Sequence, residues 1–225
     1  MLITIPDVFS PQEISDIATI TGSIKWKSGT KTAGSRAAKV KRNEQANLQV
    51  GAGRALHEQL LQGIRSHPVL NAAARPKRFS RLMLSRTGPG GGYGAHIDNA
   101  IMGKGAGRMR ADLSLTCFLS APEDYDGGEL EIDLPGMVHS LKPAAGSLVL
   151  YPTSAIHRVA PVTRGSRLAC VGWIQSLIPD AAQRALLFDL TNLGIALRQQ
   201  LDAGSPEVLT LEKSISNLLR MWAVL

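Results

Sequence analysis

Residues 79–98 read FSRLMLSRTGPGGGYGAHID, and at Phe79 the hydrophobic period changes from 3.6 to 2. A turn run, Gly88-Pro89-Gly90-Gly91-Gly92, splits the stretch into two strands. The same alternation continues downstream, giving eight short strands at about 79–86, 92–98, 112–119, 129–134, 137–142, 147–151, 156–162 and 167–177. Asp126-Gly127-Gly128, Pro135-Gly136, Ala144-Ala145-Gly146 and Arg164-Gly165-Ser166 supply turns between them. Eight strands of this length predict a mainly β (α+β) chain with a double-stranded β-helix, or jelly-roll, core. Spacing alone would equally allow another sandwich.

Helical patterns flank the strands. Ser10-Pro11-Gln12-Glu13 reads as a capping box with proline at the first helical position, opening a helix to about Ile20. A second helix, about Leu48 to Ile64, carries Leu56, Leu60, Leu61 and Ile64 at helical spacing, with Pro68 shortly after it. Beyond Gln175, Asp180 caps a helix to about Asp202 and Gly204 ends it, and Ser205-Pro206 opens another with Val208, Leu211, Ile215, Leu218 and Trp222 as its apolar face. The expected division is therefore 1–178, with its β-core at about 79–177, and a helical extension at 179–225 that serves packing or homodimerisation.

Composition narrows the function classes. At 225 residues, 44% apolar and 19% charged, the chain can build one conventional core. No apolar run reaches the roughly 18 residues of a spanning helix, and Met1–Asp7 lacks the pattern of a signal peptide, so no membrane role and a cytoplasmic location are expected. Cys117 and Cys170 sit singly in apolar runs and read as buried small side chains. The formal charge of +7 raises nucleic acid as a partner. Its densest stretch, Lys25–Arg42, has little apolar periodicity, a single aromatic and no nucleic-acid motif; it reads as a solvated loop or lid, and nucleic acid is not expected.

Chemistry concentrates at Tyr93-Gly94-Ala95-His96-Ile97-Asp98. Residues two apart on a strand share a face, so His96 and Asp98 can reach one metal ion. An imidazole and a carboxylate so placed are two members of a 2-His-1-carboxylate triad, which leaves open positions on Fe(II). A bare HxD also arises by chance, as a surface turn or a hydrogen-bonded pair. The third ligand must come from a strand folded back alongside, and His157 heads the seventh predicted strand, four strands beyond Asp98. His57, His67 and His139 lack a partner acid and read as surface or hydrogen-bonded histidines. Ten positions after His157 stands Arg167, whose planar guanidinium matches a carboxylate. Fe²⁺, Asp98 and a 2-oxoglutarate dianion carry a residual negative charge that one arginine neutralises, whereas an uncompensated charge in a desolvated barrel costs several kcal/mol. Arg164, in a turn, and Arg158, facing away from His157, are its competitors.

Taken together, HxD, distal His and Arg resemble the prolyl/lysyl-hydroxylase-type 2-oxoglutarate oxygenases. Further segments resemble the bacterial PKHD-type Fe(II)-dependent hydroxylases: His96–Ala100, Ala111–Thr116, Asp124–Leu130, Leu148–Pro152 and Pro161–Gly165. The resemblance spans nearly the whole chain. It implies Fe(II) on His96, Asp98 and His157, 2-oxoglutarate as co-substrate, O₂ consumed, succinate and CO₂ released, and L-ascorbate keeping the iron reduced. Some relatives place Lys where this chain has Arg167. Tyr93 and Tyr151 are candidates for hydrogen bonding to the co-substrate, or else aromatics of the barrel core. An occupied carboxylate position, Asp98, argues against halogenation. The rivals are a non-catalytic jelly-roll module that senses metal or 2-oxoglutarate, and a cupin-type dioxygenase for which Arg167 would have no task. The hydroxylated substrate, a peptide or a small molecule, is not readable from these residues.

Overall fold

The computed structural model describes residues 1–32 and 40–225. Along the chain run β1 (Ile3–Ile5), α1 (Pro11–Ser23), β2 (Trp26–Ser28), β3 (Lys41–Arg42), β4 (Glu44–Ala46), α2 (Gly51–Ser66), α3 (Pro68–Ala74), β5 (Pro76–Phe79), β6 (Met83–Thr87) and β7 (Gly92–His96). There follow β8 (Ile101–Met102), β9 (Met109–Arg110), β10 (Leu113–Phe118), β11 (Tyr125–Gly127), β12 (Leu130–Leu134), β13 (Met137–Leu141), β14 (Leu148–Pro152), β15 (Ile156–Val159), β16 (Val162–Gly165), β17 (Arg167–Ser176), α4 (Ala181–Arg198) and α5 (Pro206–Trp222).

The strands form a double-stranded β-helix. Its major sheet has the order β1-β14-β10-β17-β6-β4-β2, with β5 also paired to β17, and its minor sheet runs β13-β12-β15-β7-β3. Alternation sorts the side chains of the major sheet into two sets. Leu84, Leu113, Leu115, Cys117, Leu148, Leu150 and Cys170 join Leu56, Leu60 and Ile64 of α2 in the larger core. Those three α2 side chains are fully buried, and at about 1.5–3 kcal/mol each they dock the helix on the sheet. Cys117 lies directly opposite Cys170 across β10 and β17, both buried and unbridged, as small hydrophobes. The opposite set, including Ser114, Thr116, Tyr151 and Arg167, faces the minor sheet across a cavity of about 410 Å³.

The helix starts follow their caps. Ser10 and Glu13 form the expected capping box of α1, Asp180 accepts from Gln183 N at the head of α4, and Ser205 accepts from Val208 N at α5. Pro68 does not simply follow α2; with extended His67 as N-cap it opens the short helix α3. The predicted strand 79–86 is two strands. Both pair with β17, but residues 80–82 face only residues 172 and 173, so one extra residue bulges out and Leu82 N donates to His57 Nε2 instead. The predicted strand 156–162 also breaks, at Pro161, which has no N–H to continue the ladder. After it β16 leaves the minor sheet and pairs with β11.

The Lys25–Arg42 segment departs from the expected solvated loop. Its ends are β2, paired with β4, and β3, paired with β7, and Lys41 is buried; residues 33–39 lie outside the described residues. Among the described residues no helix is long and apolar enough to cross a membrane.

The turn that delivers Arg167 depends on Gly165. Its φ is +72°, and a Cβ there would stand 1.9 Å from Asp124 O. Left-handed backbone costs an L-residue about 1–2 kcal/mol before any clash. Gly165→Ala is therefore expected to lower unfolding free energy by about 2 kcal/mol or more in urea titrations. Gly22→Ala, in a helix with open space around it, should be neutral or stabilise by up to about 1 kcal/mol.

Candidate metal and co-substrate site

Register brings the ligands together. In the β15–β7 pair His157 is the direct partner of His96. Between there and the Val159–Tyr93 pair, β7 carries one residue more than β15, and this bulge turns Tyr93 and His96, three apart in sequence, toward the same side. Asp98 lies just past the end of β7. The ligand atoms of His96, Asp98 and His157 all fall within 4.8 Å of one another. His96 Nε2 is 3.8 Å from Asp98 Oδ1, and His157 Nε2 is 3.5 Å from Asp98 Oδ2.

Neighbouring groups fix the form of each ligand. His96 Nδ1 is 2.8 Å from Gly94 O and His157 Nδ1 is 3.1 Å from Ala155 O. A carbonyl only accepts, so each Nδ1 carries the proton and each Nε2 lone pair is left for a metal. Burial, and then the neighbouring His157, push the His96 pKa down to about 4, which keeps the ring neutral. Asp98 Oδ2 accepts from Trp173 Nε1–H at 2.7 Å and from Ser114 Oγ–H at 2.9 Å. Three convergent, half-buried or buried donors of this type fit Fe(II), with the carboxylate braced by an indole and a hydroxyl.

Arg167 opens the eighth predicted strand and points into the same cavity. It is 2% exposed, and its guanidinium lies over the Phe118 ring at 4.8 Å. The Tyr125 and Tyr151 hydroxyls interact with it, Tyr125 the more strongly, yet no hydrogen bond of good geometry satisfies its buried Nε and Nη2 among the described residues. Two parallel donors left unsatisfied in this way fit a carboxylate ligand. Arg164 and Arg158 are not rivals, since both are exposed and pair with Asp126 and Glu131.

Tyr93 stacks on His96 with ring centroids 3.6 Å apart, and burial followed by the Asp98 charge pushes its pKa up to about 12. Tyr151 meets His157 edge-on at 5.1 Å, and its pKa is likewise raised, chiefly by burial. All six predicted site residues therefore line one cavity. Sequence reading missed Trp173, Ser114 and Lys41, which line it too. Two of these were traceable by alternation: Trp173 is three two-residue steps from Arg167, and Ser114 and Thr116 are the polar positions of an otherwise apolar strand. The three histidines set aside line no part of this cavity: His57 accepts from Leu82 N, His139 is a half-buried residue of β13, and His67, the N-cap of α3, departs from the expectation in having a buried Nδ1 with no hydrogen-bond partner among the described residues.

Fold and site together define a 2-oxoglutarate- and Fe(II)-dependent dioxygenase, and relatives agree. Residues 82–175 match the 2OG-Fe(II) oxygenase superfamily, and residues 181–223 match the PKHD-type hydroxylase C-terminal domain. A PKHD-type hydroxylase of Hyphomonas neptunium is 50% identical over 222 residues, 99% of each chain, and one of Acidovorax ebreus is 42% identical, again over 99% of each. The chain belongs to the PKHD-type hydroxylase family. The fold is shared with a Pseudomonas putida prolyl-4-hydroxylase (TM-score 0.52, 21% identity, 77% of this chain and 92% of that one). It is shared as well with HygX from Streptomyces hygroscopicus, solved with nickel, 2-oxoglutarate and hygromycin B (TM-score 0.53, 14% identity, 79% and 84%).

Trp173→Phe keeps the ring's bulk and removes its donor to Asp98. Loss of such a brace is expected to weaken metal affinity by about 10- to 100-fold, measured by competition with a chelating dye, while the thermal midpoint of the metal-free protein changes little. Unchanged affinity would mean that Ser114 alone holds the carboxylate.

Proposed function

We propose that His96, Asp98 and His157 hold the iron, and that Arg167 binds the distal carboxylate of 2-oxoglutarate in an enzyme hydroxylating a peptide or small-molecule substrate. The observation carrying this reading is the buried Arg167, with two unsatisfied donors, on the wall of the cavity that holds the triad. When bound, iron and 2-oxoglutarate would use O₂ to supply the oxidant for C–H hydroxylation, one oxygen atom going to the new hydroxyl and the other to succinate as CO₂ is lost. The chain's own residues bind, orient and exclude water. Gly94 O and Ala155 O hold the two imidazoles in the ligating tautomer. Trp173 and Ser114 hold Asp98, and Leu130, Val159 and Val171 supply apolar wall. Tyr93 and Tyr151 flank the two histidine rings and offer hydroxyls toward the co-substrate. Ascorbate as reductant, a cytoplasmic location and the absence of a nucleic-acid role belong to the same reading, supported by family likeness and by the lack of a nucleic-acid motif.

The extension 179–225 contributes no ligand in this reading. Leu186, Leu193, Ile195, Leu209 and Met221 are exposed on α4 and α5, and this supports homodimerisation through them. Sedimentation velocity is expected to show a dimer that Leu193→Glu converts to monomer; a monomer at all concentrations would leave the helices an intramolecular role only.

Arg167→Ala tests the site most sharply. It should leave Fe(II) affinity nearly unchanged and lose a buried charge-assisted contact worth about 2–5 kcal/mol, or roughly 30- to several-thousand-fold in 2-oxoglutarate affinity. Arg167→Lys should recover part of this, lacking the planar fork. Anaerobic titration of the iron-loaded protein, followed through the visible charge-transfer band, reads both. Wild-type 2-oxoglutarate affinity in Arg167→Ala would remove Arg167 from the co-substrate site.

A further inference from the structure

The segment Ala111–Thr116 resembles the family, yet only its later residues face the cavity: Ser114, Leu115 and Thr116 line it and Asp112 does not. Asp112 stands one residue before β10, and its side chain is only 7% exposed. Arg110 Nε and Nη2 donate to its two oxygens at 2.6 and 3.0 Å, and Ser176 N donates to Oδ2 at 2.8 Å. Arg110 Nη2 also donates to Ser176 O at 3.2 Å, which closes a ring of three residues. A carboxylate taken this far out of water needs such partners, and a bidentate guanidinium with a backbone N–H supplies them.

This ring lies at the end of the β10–β17 ladder. Leu113 pairs with Ile174 at that end, and the next pair inward is Ser114 with Trp173. Those two side chains are the donors that grip Asp98. Past Leu113 the Asp112 carboxylate takes over from the ladder and reaches Ser176, two residues beyond Ile174. Asp112 O accepts from Thr153 N at 3.2 Å, and Thr153 Oγ1 is 3.1 Å from Ser114 Oγ. Next to it, Ala111 N donates to Ala100 O at 2.8 Å, tying this corner to the chain two residues beyond Asp98. Asp112 therefore fixes the strand end carrying Ser114, the strand end carrying Trp173, and Thr153 beside Ser114, without reaching the cavity itself.

We propose that Asp112 is a positioning residue for the metal centre: locked by Arg110, it sets the Ser114–Trp173 pair and, through that pair, the orientation of Asp98. The inference rests on the assignment of His96, Asp98 and His157 as metal ligands. It adds an ion pair outside the cavity on which the carboxylate ligand depends.

Co(II), whose visible d–d bands report ligand geometry, is the probe, with affinity read by competition with a chelating dye. Titrated into the metal-free protein, Asp112→Asn is expected to bind about 10-fold more weakly than wild type, the lower end of the cost of removing a group bonded directly to a ligand, and to shift the bands. Glu131→Gln breaks an equally bidentate pair, with Arg158 on the outer face beside His157, and should do neither. A double-mutant cycle separates positioning from general support. In the Trp173→Phe background, Asp112→Asn should cost only about 3-fold or less, because half of what it orients is gone. Arg110→Gln leaves the Ser176 bond to Asp112 in place and should follow the same pattern at about 3-fold, a partly exposed cation contributing less than a buried one; it is the deciding variant if Asp112→Asn does not fold. Wild-type affinity and bands in Asp112→Asn or in Arg110→Gln overturn the inference. So do an equal loss in Glu131→Gln and an undiminished loss in the Trp173→Phe background. A wild type that binds no Co(II) overturns the metal assignment and this inference with it; normal wild-type binding with any of the other adverse results overturns this inference alone.

Discussion

The pairing of β15 against β7, with His157 opposite His96, is the constraint on which the rest depends. A shift of one residue would swing His157 to the outer face of the minor sheet, where Arg158 now pairs with Glu131. Several features hold this register. Ile132 locks His157 from the other side through β12, the Pro161 break frees β16 to leave the sheet, and the β7 bulge aims Tyr93 and His96 alike. The seven strands from β8 to β14 bring the chain back to this one line of contact.

Asp98 is a second point where competing forces meet. Beyond the end of β7 it has no ladder to fix it, and two imidazole Nε2 atoms and two side-chain donors converge on its oxygens. Those donors come from β10 and β17 of the opposite sheet. The carboxylate is therefore the tie between the two sheets at the site, whereas both histidines belong to the minor sheet alone.

Much of this was legible in the residues. Alternation from Phe79 onward gave the β-core; the HxD, the returning histidine and an arginine ten positions later gave four of the side chains that line the cavity, and Tyr93 and Tyr151 were two more. What escaped has a common physical origin. Bulges at 80–82 and within β7 add a residue without disturbing composition, so the pattern runs on unbroken where the strand does not. Lys41 sits in a strand of two residues that exists because β7 offers an edge, and no local propensity announces it. Trp173 reads as core until Asp98 is known to stand 2.7 Å from its indole nitrogen.

The alternation of the major sheet also partitions its chemistry. On β10 and β17 the paired thiols of Cys117 and Cys170 face the helices, while Ser114, Thr116 and Trp173 of the same two strands face the iron ligands. One thickness of polypeptide backbone separates an oxygen-activating chamber from the two most readily oxidised side chains of the neighbouring core. The sheet that builds the site is also the bulkhead that keeps its reactivity on one side.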